Sequence, residues 1–309
     1  MNLVWKPYRK SLAADVVGLW NRAIGQHFPM TLRLLRQNVE GAPGFDANDG
    51  TIVSRDDQVV GFVWTQRFRE QDPLRQELGA MGWIEAIVVD PSYQRQGLGR
   101  DLMAWAMSRL RNEGAASILL GGSIQYFLPG VPAELPGLPD FFARFGFGPA
   151  GVVHDLRGNL RGIQAPPAAA TAVAAADAAV RPCQPHDVPA LMAFLQAEFP
   201  GRWRYDIGRF LSRGGAPQDI IILCQGQSVI GFARIHHRRS AFLAGPTYWH
   251  RLLRPRYGGL GPIGVAAAMR GKGLGLALLQ LALAHLAQLG VEDAVIDWTS
   301  PMCACAAER

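Results

Sequence analysis

One pattern occurs twice in this chain and narrows what it can fold into. Trp83-Ile84-Glu85-Ala86-Ile87-Val88-Val89-Asp90 is apolar and rich in β-branched residues, as a buried strand is, and Asp90-Pro91 stops it. Gln94-Arg95-Gln96-Gly97-Leu98-Gly99 then turns the chain, and Leu98, Leu102, Met103, Ala106 and Leu110 keep helical spacing until Gly114. The same order returns downstream. Gly261 to Val265 reads as strand, Arg270-Gly271-Lys272-Gly273-Leu274-Gly275 as turn, and Ala277 to Leu289 as helix. Gly99 and Gly275 are 176 residues apart (275 − 99), and Gly61 and Gly231, in two similar hairpins, are 170 apart (231 − 61). Two copies of one fold with a small insertion explain both offsets.

The turn has its own chemistry. Glycine has no Cβ, so a ligand can approach the backbone, and Gly97 and Gly99 leave amide N–H groups bare at the positive end of a helix. That makes an anion cradle, although plain packing also uses glycine at such turns. No Gly-Lys-Ser/Thr follows, as a P-loop needs, and no third glycine with an acidic residue about 20 positions on, as a Rossmann turn needs. What remains is Q/R-x-x-G-x-G/A after an apolar strand ending in Asp-Pro. It resembles the acetyl-coenzyme A signature of the GNAT acyltransferase superfamily.

The resemblance implies acyl transfer from acetyl-coenzyme A to a nucleophile, usually an amine. Backbone N–H groups from Gln94, Arg95, Gln96, Gly97, Leu98, Gly99 and Arg100 would hold the pyrophosphate. The amide-rich pantetheine arm can add to the exposed edge of the central strand, which points to Val88 and Val89, and by motif alignment the N–H of Ile87 faces the thioester oxygen. An amine must be neutral to attack, so a base is wanted. Glu85 is the candidate: strict alternation puts it on the face of Ile87 and Val89, and polyamine-acetylating members carry a glutamate there. The other reading of Glu85 is a strand-end carboxylate paired with an Arg. The family's proton donor is the Tyr of F-Y-x-x-x-G-F, and Phe142 stands in that place; Tyr126, Ser123 and water are the substitutes. In the second copy Gly261 matches Glu85, so no base is visible, while Arg270, Gly271, Lys272, Gly273 and Gly275 keep the cradle. Trp249, His250 and Trp298 are candidates for lining an acceptor site or for ordinary packing.

Composition agrees with this. A length of 309 residues predicts two domains at roughly 150 each, and 49% hydrophobic with 18% charged residues is a globular balance. The net charge of +6 suits an anionic cosubstrate, but Arg is scattered and no basic run points to nucleic acid. No segment reaches ~18 uninterrupted apolar residues and the start lacks a targeting core, so no membrane partner and a cytoplasmic location are expected. Four cysteines without a paired framework read as reduced thiols, and Cys303-Ala304-Cys305 has no nearby His or second Cys pair, so no metal is expected.

The expected organisation is α/β, or α+β: two modules, each a mixed, mostly antiparallel sheet flanked by helices and splayed at its fourth and fifth strands. Residues 1–163 form the catalytic module, closed by a strand from Val152 to Leu156. Residues 164–179, rich in Ala and Pro, are a linker. Residues 180–309 form a degenerate module whose tail, Thr299 to Arg309, shows no late helix and strand. An uncovered fifth strand predicts a homodimer or a closely packed pair of modules, with Trp298 buried at the contact. The acceptor is a small-molecule or peptide amine. The rival reading is a non-catalytic coenzyme A-binding or interaction protein.

Overall fold

The computed structural model of the chain describes residues 3–300. Contacts divide the chain between Gly151 and Val152 into two compact units.

The first unit is one five-stranded sheet in the order β1-β2-β3-β4-β5. Its strands are β1 (Val4–Pro7), β2 (Gly50–Arg55), β3 (Gln58–Arg67), β4 (Met81–Val89) and β5 (Ser117–Leu120), and its helices α1 (Ala13–Ala23), α2 (Leu32–Leu35), α3 (Arg75–Leu78), α4 (Leu98–Asn112) and α5 (Leu138–Ala143). All neighbours run antiparallel except β4 and β5, which a crossover through α4 makes parallel. Leu98, Leu102, Met103, Ala106 and Leu110, the stripe expected of α4, are all buried against Val53, Val63 and Ile84. Phe142 is 6% exposed in the same core, edge-on to Phe141 and Phe147, so the residue at the family's tyrosine position is a packing residue.

The second unit repeats the plan as β6-β11-β10-β9-β8-β7. The elements are β6 (His154–Asn159), β7 (Ala179–Pro182), β8 (Ile220–Gln225), β9 (Ser228–His237), β10 (Tyr257–Val265) and β11 (Asp293–Thr299), with α6 (Pro167–Ala175), α7 (Val188–Glu198), α8 (Arg202–Ser212), α9 (Gly245–Tyr248) and α10 (Leu274–Gln288). The repeat holds to the residue. β3 and β9 are offset by 170 (228 − 58), β4 and β10 by 176 (257 − 81), and α4 and α10 by 176 (274 − 98). The six extra residues of the second copy lie between β9 and β10.

Two expectations are corrected. The strand expected to close the first module belongs to the second sheet: β6 pairs antiparallel with β11, Asp293 opposite Asn159 and Ile296 opposite Leu156. It takes the edge of the fifth strand that was expected to lie open, and Arg157 on β6 forks onto the buried Asp293 carboxylate at 2.8 and 2.5 Å. The Ala/Pro stretch also carries structure. Pro167 opens α6 at a position where a missing N–H costs nothing, alanine sustains the helix, and Ala169 and Val173 are buried against α10. Trp298, expected to be buried at a contact between modules or copies, is 38% exposed in the single chain. Cys303 and Cys305 lie outside the described residues. Cys183 and Cys224 are buried free thiols.

Among the described residues no helix is long and apolar enough to cross a membrane, and no group of three His, Cys, Asp or Glu is placed to hold a metal.

Candidate active site

In the first unit the site forms where β4 leaves β5. Ladder pairing ends at Ile84 opposite Leu120, and Gly121 N–H makes one last bond to Ile84 O at 2.9 Å. From Glu85 onward β4 has β3 on one side and, among the described residues, an open edge on the other. Asp90 N–H donates to Val60 O on β3 (2.9 Å), so by alternation Val88 also turns to β3 while Ile87 and Val89 turn to the open edge. Val88, expected at that edge, sits in the ladder opposite Phe62. Val89 O holds the Gln94 side-chain amide at 3.1 Å.

A bulge sets the carboxylate. Trp64 faces Ala86 but Thr65 faces Ile84, which leaves Glu85 as the extra residue. This overturns the alternation used to place Glu85 with Ile87 and Val89: those two pack with Ile84 over α4, and Glu85 turns toward Gln66 and Ser123. At 4% exposure, Glu85 Oε1 accepts the N–H of Ser123 (3.0 Å), and Ser123 Oγ donates to Gln66 Oε1 (2.5 Å). Tyr126 follows on the same loop, 9% exposed. Its carbonyl accepts from Asn38 Nδ2 at 2.6 Å, and a π turn over Arg36–Glu40 holds Asn38 fully buried. The long Pro/Gly loop is therefore anchored at Ser123 and Tyr126.

The cradle fits a phosphate-bearing ligand. Gly97 has φ +91°, which an L side chain rarely adopts, and the first helix bond runs from Asp101 N–H to Gly97 O. The N–H groups of Leu98, Gly99 and Arg100 thus have no intrahelical acceptor. Leu98 contributes only its backbone, since its side chain is buried in the core. Gln96 braces the turn by donating to Ser92 O at 2.9 Å. Asp90 explains the Asp-Pro stop: one carboxylate oxygen caps Ser92 N–H at 3.1 Å and the other takes Arg22 Nε at 2.9 Å. Arg95 (φ +61°) and the exposed Arg100 add positive charge.

The second unit repeats the bulge. Leu260 faces Ile235 and Ile263 faces Ala233, so β10 carries one extra residue at Gly261-Pro262. Its cradle is complete, with Gly271 at φ +76°, Gly273 at φ +74° and a first helix bond from Ala277 N–H to Gly273 O. Ala266 replaces Asp90, and Glu198 at the end of α7 caps the turn by accepting Ala267 N–H at 2.8 Å. His236, 1% exposed, lies 2.9 Å through Nε2 from Gly261 O, so that nitrogen carries the proton. Burial first, and the Arg234 guanidinium second, push its pKa down to about 3 and keep the ring neutral. Of the suggested acceptor-site residues, His250 stacks on Tyr257 at 4.9 Å, Trp249 is half-buried, and Trp298 carries the Arg202 guanidinium over its ring at 4.9 Å. Sequence reasoning missed Arg234 and His236 on β9 and Asp297 on β11, two strands away, whose charge acts on Arg234.

The comparisons agree with this architecture. Mycothiol acetyltransferase of Brachybacterium faecium is 33% identical over 102 residues, 32% of this chain and 29% of that protein. The enzyme of the same name from Sanguibacter keddieii is 37% identical over 78 residues, 25% of this chain and 24% of its own length. This chain therefore spans under a third of either relative. Among solved structures, the glucosamine N-acetyltransferase region of a fungal multi-domain GH3 β-N-acetylglucosaminidase superposes with a TM-score of 0.85 at 25% identity, covering 98% of this chain and 36% of that one. A tandem GNAT protein from the clavulanic acid biosynthesis pathway matches in fold, with a TM-score of 0.62 at 16% identity over 99% of this chain and 94% of that chain. The model of the acetyltransferase (GNAT) family matches twice, over residues 22–126 and 188–306. With both sheets, both bulges and both cradles in register, the chain belongs to the acetyltransferase (GNAT) family.

Proposed function

We propose that the first unit transfers an acetyl group from acetyl-coenzyme A to a primary amine on a small polar acceptor, with Glu85 as the general base. The observation that carries this is the bulge. It sets a buried carboxylate, oriented by Ser123 N–H, at the step where β4 parts from β5 and two residues before the open amide of Ile87. The amine gives its proton to Glu85, directly or through one water, as its nitrogen attacks the thioester carbon. Ile87 N–H faces the oxygen on which charge develops, and Val89 pairs with the pantetheine arm. Gln94 to Arg100 receive the pyrophosphate, and Tyr126 returns a proton to the departing thiolate.

An amino sugar is the favoured acceptor. This rests on the glucosamine N-acetyltransferase region, which matches nearly the whole of this chain at 25% identity. The test is Glu85→Gln, with turnover on glucosamine measured beside coenzyme A affinity. Turnover should fall about 10²–10⁴-fold while affinity holds, because the change removes a proton acceptor and leaves the cradle intact. Wild-type turnover in the variant would remove Glu85 from the mechanism. Coenzyme A binding with no amine-dependent thiol release in the wild type would favour a non-catalytic binding protein instead.

A further inference from the structure

The two units differ at one pair of positions in a reciprocal way. In the first, the central strand carries Glu85 and the end of the neighbouring strand carries Gly121. Adding the 176-residue offset to both gives Gly261 (261 − 85) and Asp297 (297 − 121). Acid and glycine have changed strands. The register supports the match, since Ile84 faces Leu120 in one sheet and Leu260 faces Ile296 in the other, one residue before each pair.

The geometry shows what the exchange does. A Cβ built on Gly261 would lie 3.2 Å from Asp297 Oδ1, so the carboxylate from β11 occupies the space that a side chain at 261 would enter. In the first unit that route is closed: a Cβ on Gly121 would lie 2.3 Å from Leu128 O, because the loop returns there and Gly122 N–H bonds that carbonyl. Asp297 is held out of the ladder on its other side as well. The β11–β6 register shifts between Ile296 and Thr299, Trp298 adopts φ +49°, and Trp298 N–H donates to Asp155 Oδ1 on β6 at 3.1 Å. The residue is half-buried and stands beside the stretch of β10 that, among the described residues, has no strand on its β11 side. There Ala266 N–H bonds Ile230 O (2.8 Å), and alternation turns Ile263 and Val265 outward as Ile87 and Val89 are turned.

We propose that Asp297 is the general base of a second acyl-transfer site in the second unit, acting on a primary amine. The proposal rests on the reading of Glu85 and of the cradles given above. The amine nitrogen attacks the thioester carbon of acetyl-coenzyme A, an N–C bond forms, and the C–S bond breaks. The proton leaving nitrogen passes to the Asp297 carboxylate and then through solvent to the thiolate, so one amine and one thioester give one amide and one thiol. Neutral His236, donating to Gly261 O, fixes the backbone of the bulge against which Asp297 lies.

The experiment compares wild type, Glu85→Gln, Asp297→Asn and the double variant. Thiol release from acetyl-coenzyme A is followed over a panel of primary amines headed by glucosamine, and coenzyme A stoichiometry is measured by calorimetry. Two molecules of coenzyme A should bind each chain in all four proteins. Glu85→Gln should leave an amine-dependent remainder about 10²-fold or more below wild type on glucosamine, and adding Asp297→Asn should cut that remainder by about a further 10²-fold. In the Glu85→Gln background, Asp297→Glu should restore part of the release, which a merely structural Asp297 would not do, and Gly273→Val should remove the same remainder. A remainder that Asp297→Asn leaves untouched overturns the proposal. So does a Glu85→Gln protein at the uncatalysed rate with two coenzyme A bound. If Asp297→Asn removes all release and Glu85→Gln none, the second site stands and the first unit's role falls. No amine-dependent release from the wild type overturns both.

Discussion

The first unit places its acid on the central strand, where Glu85 is the bulged residue and Ser123 N–H orients it. The second places an acid from the neighbouring strand into the same cleft, beside a glycine at the bulge. The turn before the cradle differs in the same manner: Asp90 caps it from within the first unit's turn, while Glu198 reaches across from α7 in the second. Sheet order, bulge and helix start locate each requirement in space, and the element that supplies the side chain is free to change. If Asp297 serves as Glu85 does, a repeat compared residue by residue looks degenerate where its parts have only moved.

The largest test of this comparison forces the second arrangement on the first unit. Gly121→Asp should destabilise that unit by about 4 kcal/mol or more, because it drives a Cβ into Leu128 O at a residue with φ +68°. Urea unfolding measures it, and a tolerated substitution would mean that the loop does not confine the first unit's acid to β4.

The second test separates the units by pH. His236 has a folded pKa of about 3 against an ordinary 6.5. Between those values the unfolded chain binds a proton that the folded unit does not, so stability is whole above pH ~6.5 and is lost as pH falls toward 3. The full shift corresponds to about 5 kcal/mol. His236→Gln, which installs the residue found at Gln66 in the first unit, should flatten this dependence, read by hydrogen exchange of β10 peptides. A slope that survives the substitution would assign it to another group, with the Asp219 carboxylate, held below its ordinary range, the nearest.

The third test concerns the cradles. Gly97→Val and Gly273→Val should each weaken coenzyme A binding about tenfold or more in its own unit, through strain at positive φ and a blocked approach. Calorimetry that shows loss from one variant alone would leave a single working cradle. The smallest effect is expected from Arg157→Ala. Its side chain is half-exposed, so screening leaves the fork onto Asp293 worth about 1 kcal/mol, confined to the second unit. An equal loss in the first unit would contradict the membership of β6.

Much of this was legible in the residues. The repeat, the hairpins around Gly61 and Gly231, the Asp-Pro stop and both cradles follow from local chemistry, and the structure offsets them by the same 170 and 176 residues. Parity at Glu85 was not legible, because a bulge is a property of two strands and strict alternation considers one. The role of the strand after Gly151 was hidden for the same reason: its exposed pattern names no partner, and Arg157 finds Asp293 only across the sheet. Helix α6 was available from alanine propensity with proline at its first turn, and composition read it as linker instead. Helix α8 hid behind four charged residues, though Tyr205, Ile207 and Phe210 bury one face. Asp297 gave no local signal, since it enters the cleft through the partner strand's glycine.

The place of β6 also sets a clock on synthesis. Its last residue, Asn159, precedes the first residue of its partner strand, Asp293, by 134 positions (293 − 159). At roughly 5–20 residues per second, a ribosome takes about 7–27 s to make that stretch. During that time the first sheet can complete itself, because everything it pairs with has already emerged. The strand behind it waits with both edges bare, as a template for any other nascent chain close by. Cells making much of this protein would need that strand shielded until β11 leaves the ribosome.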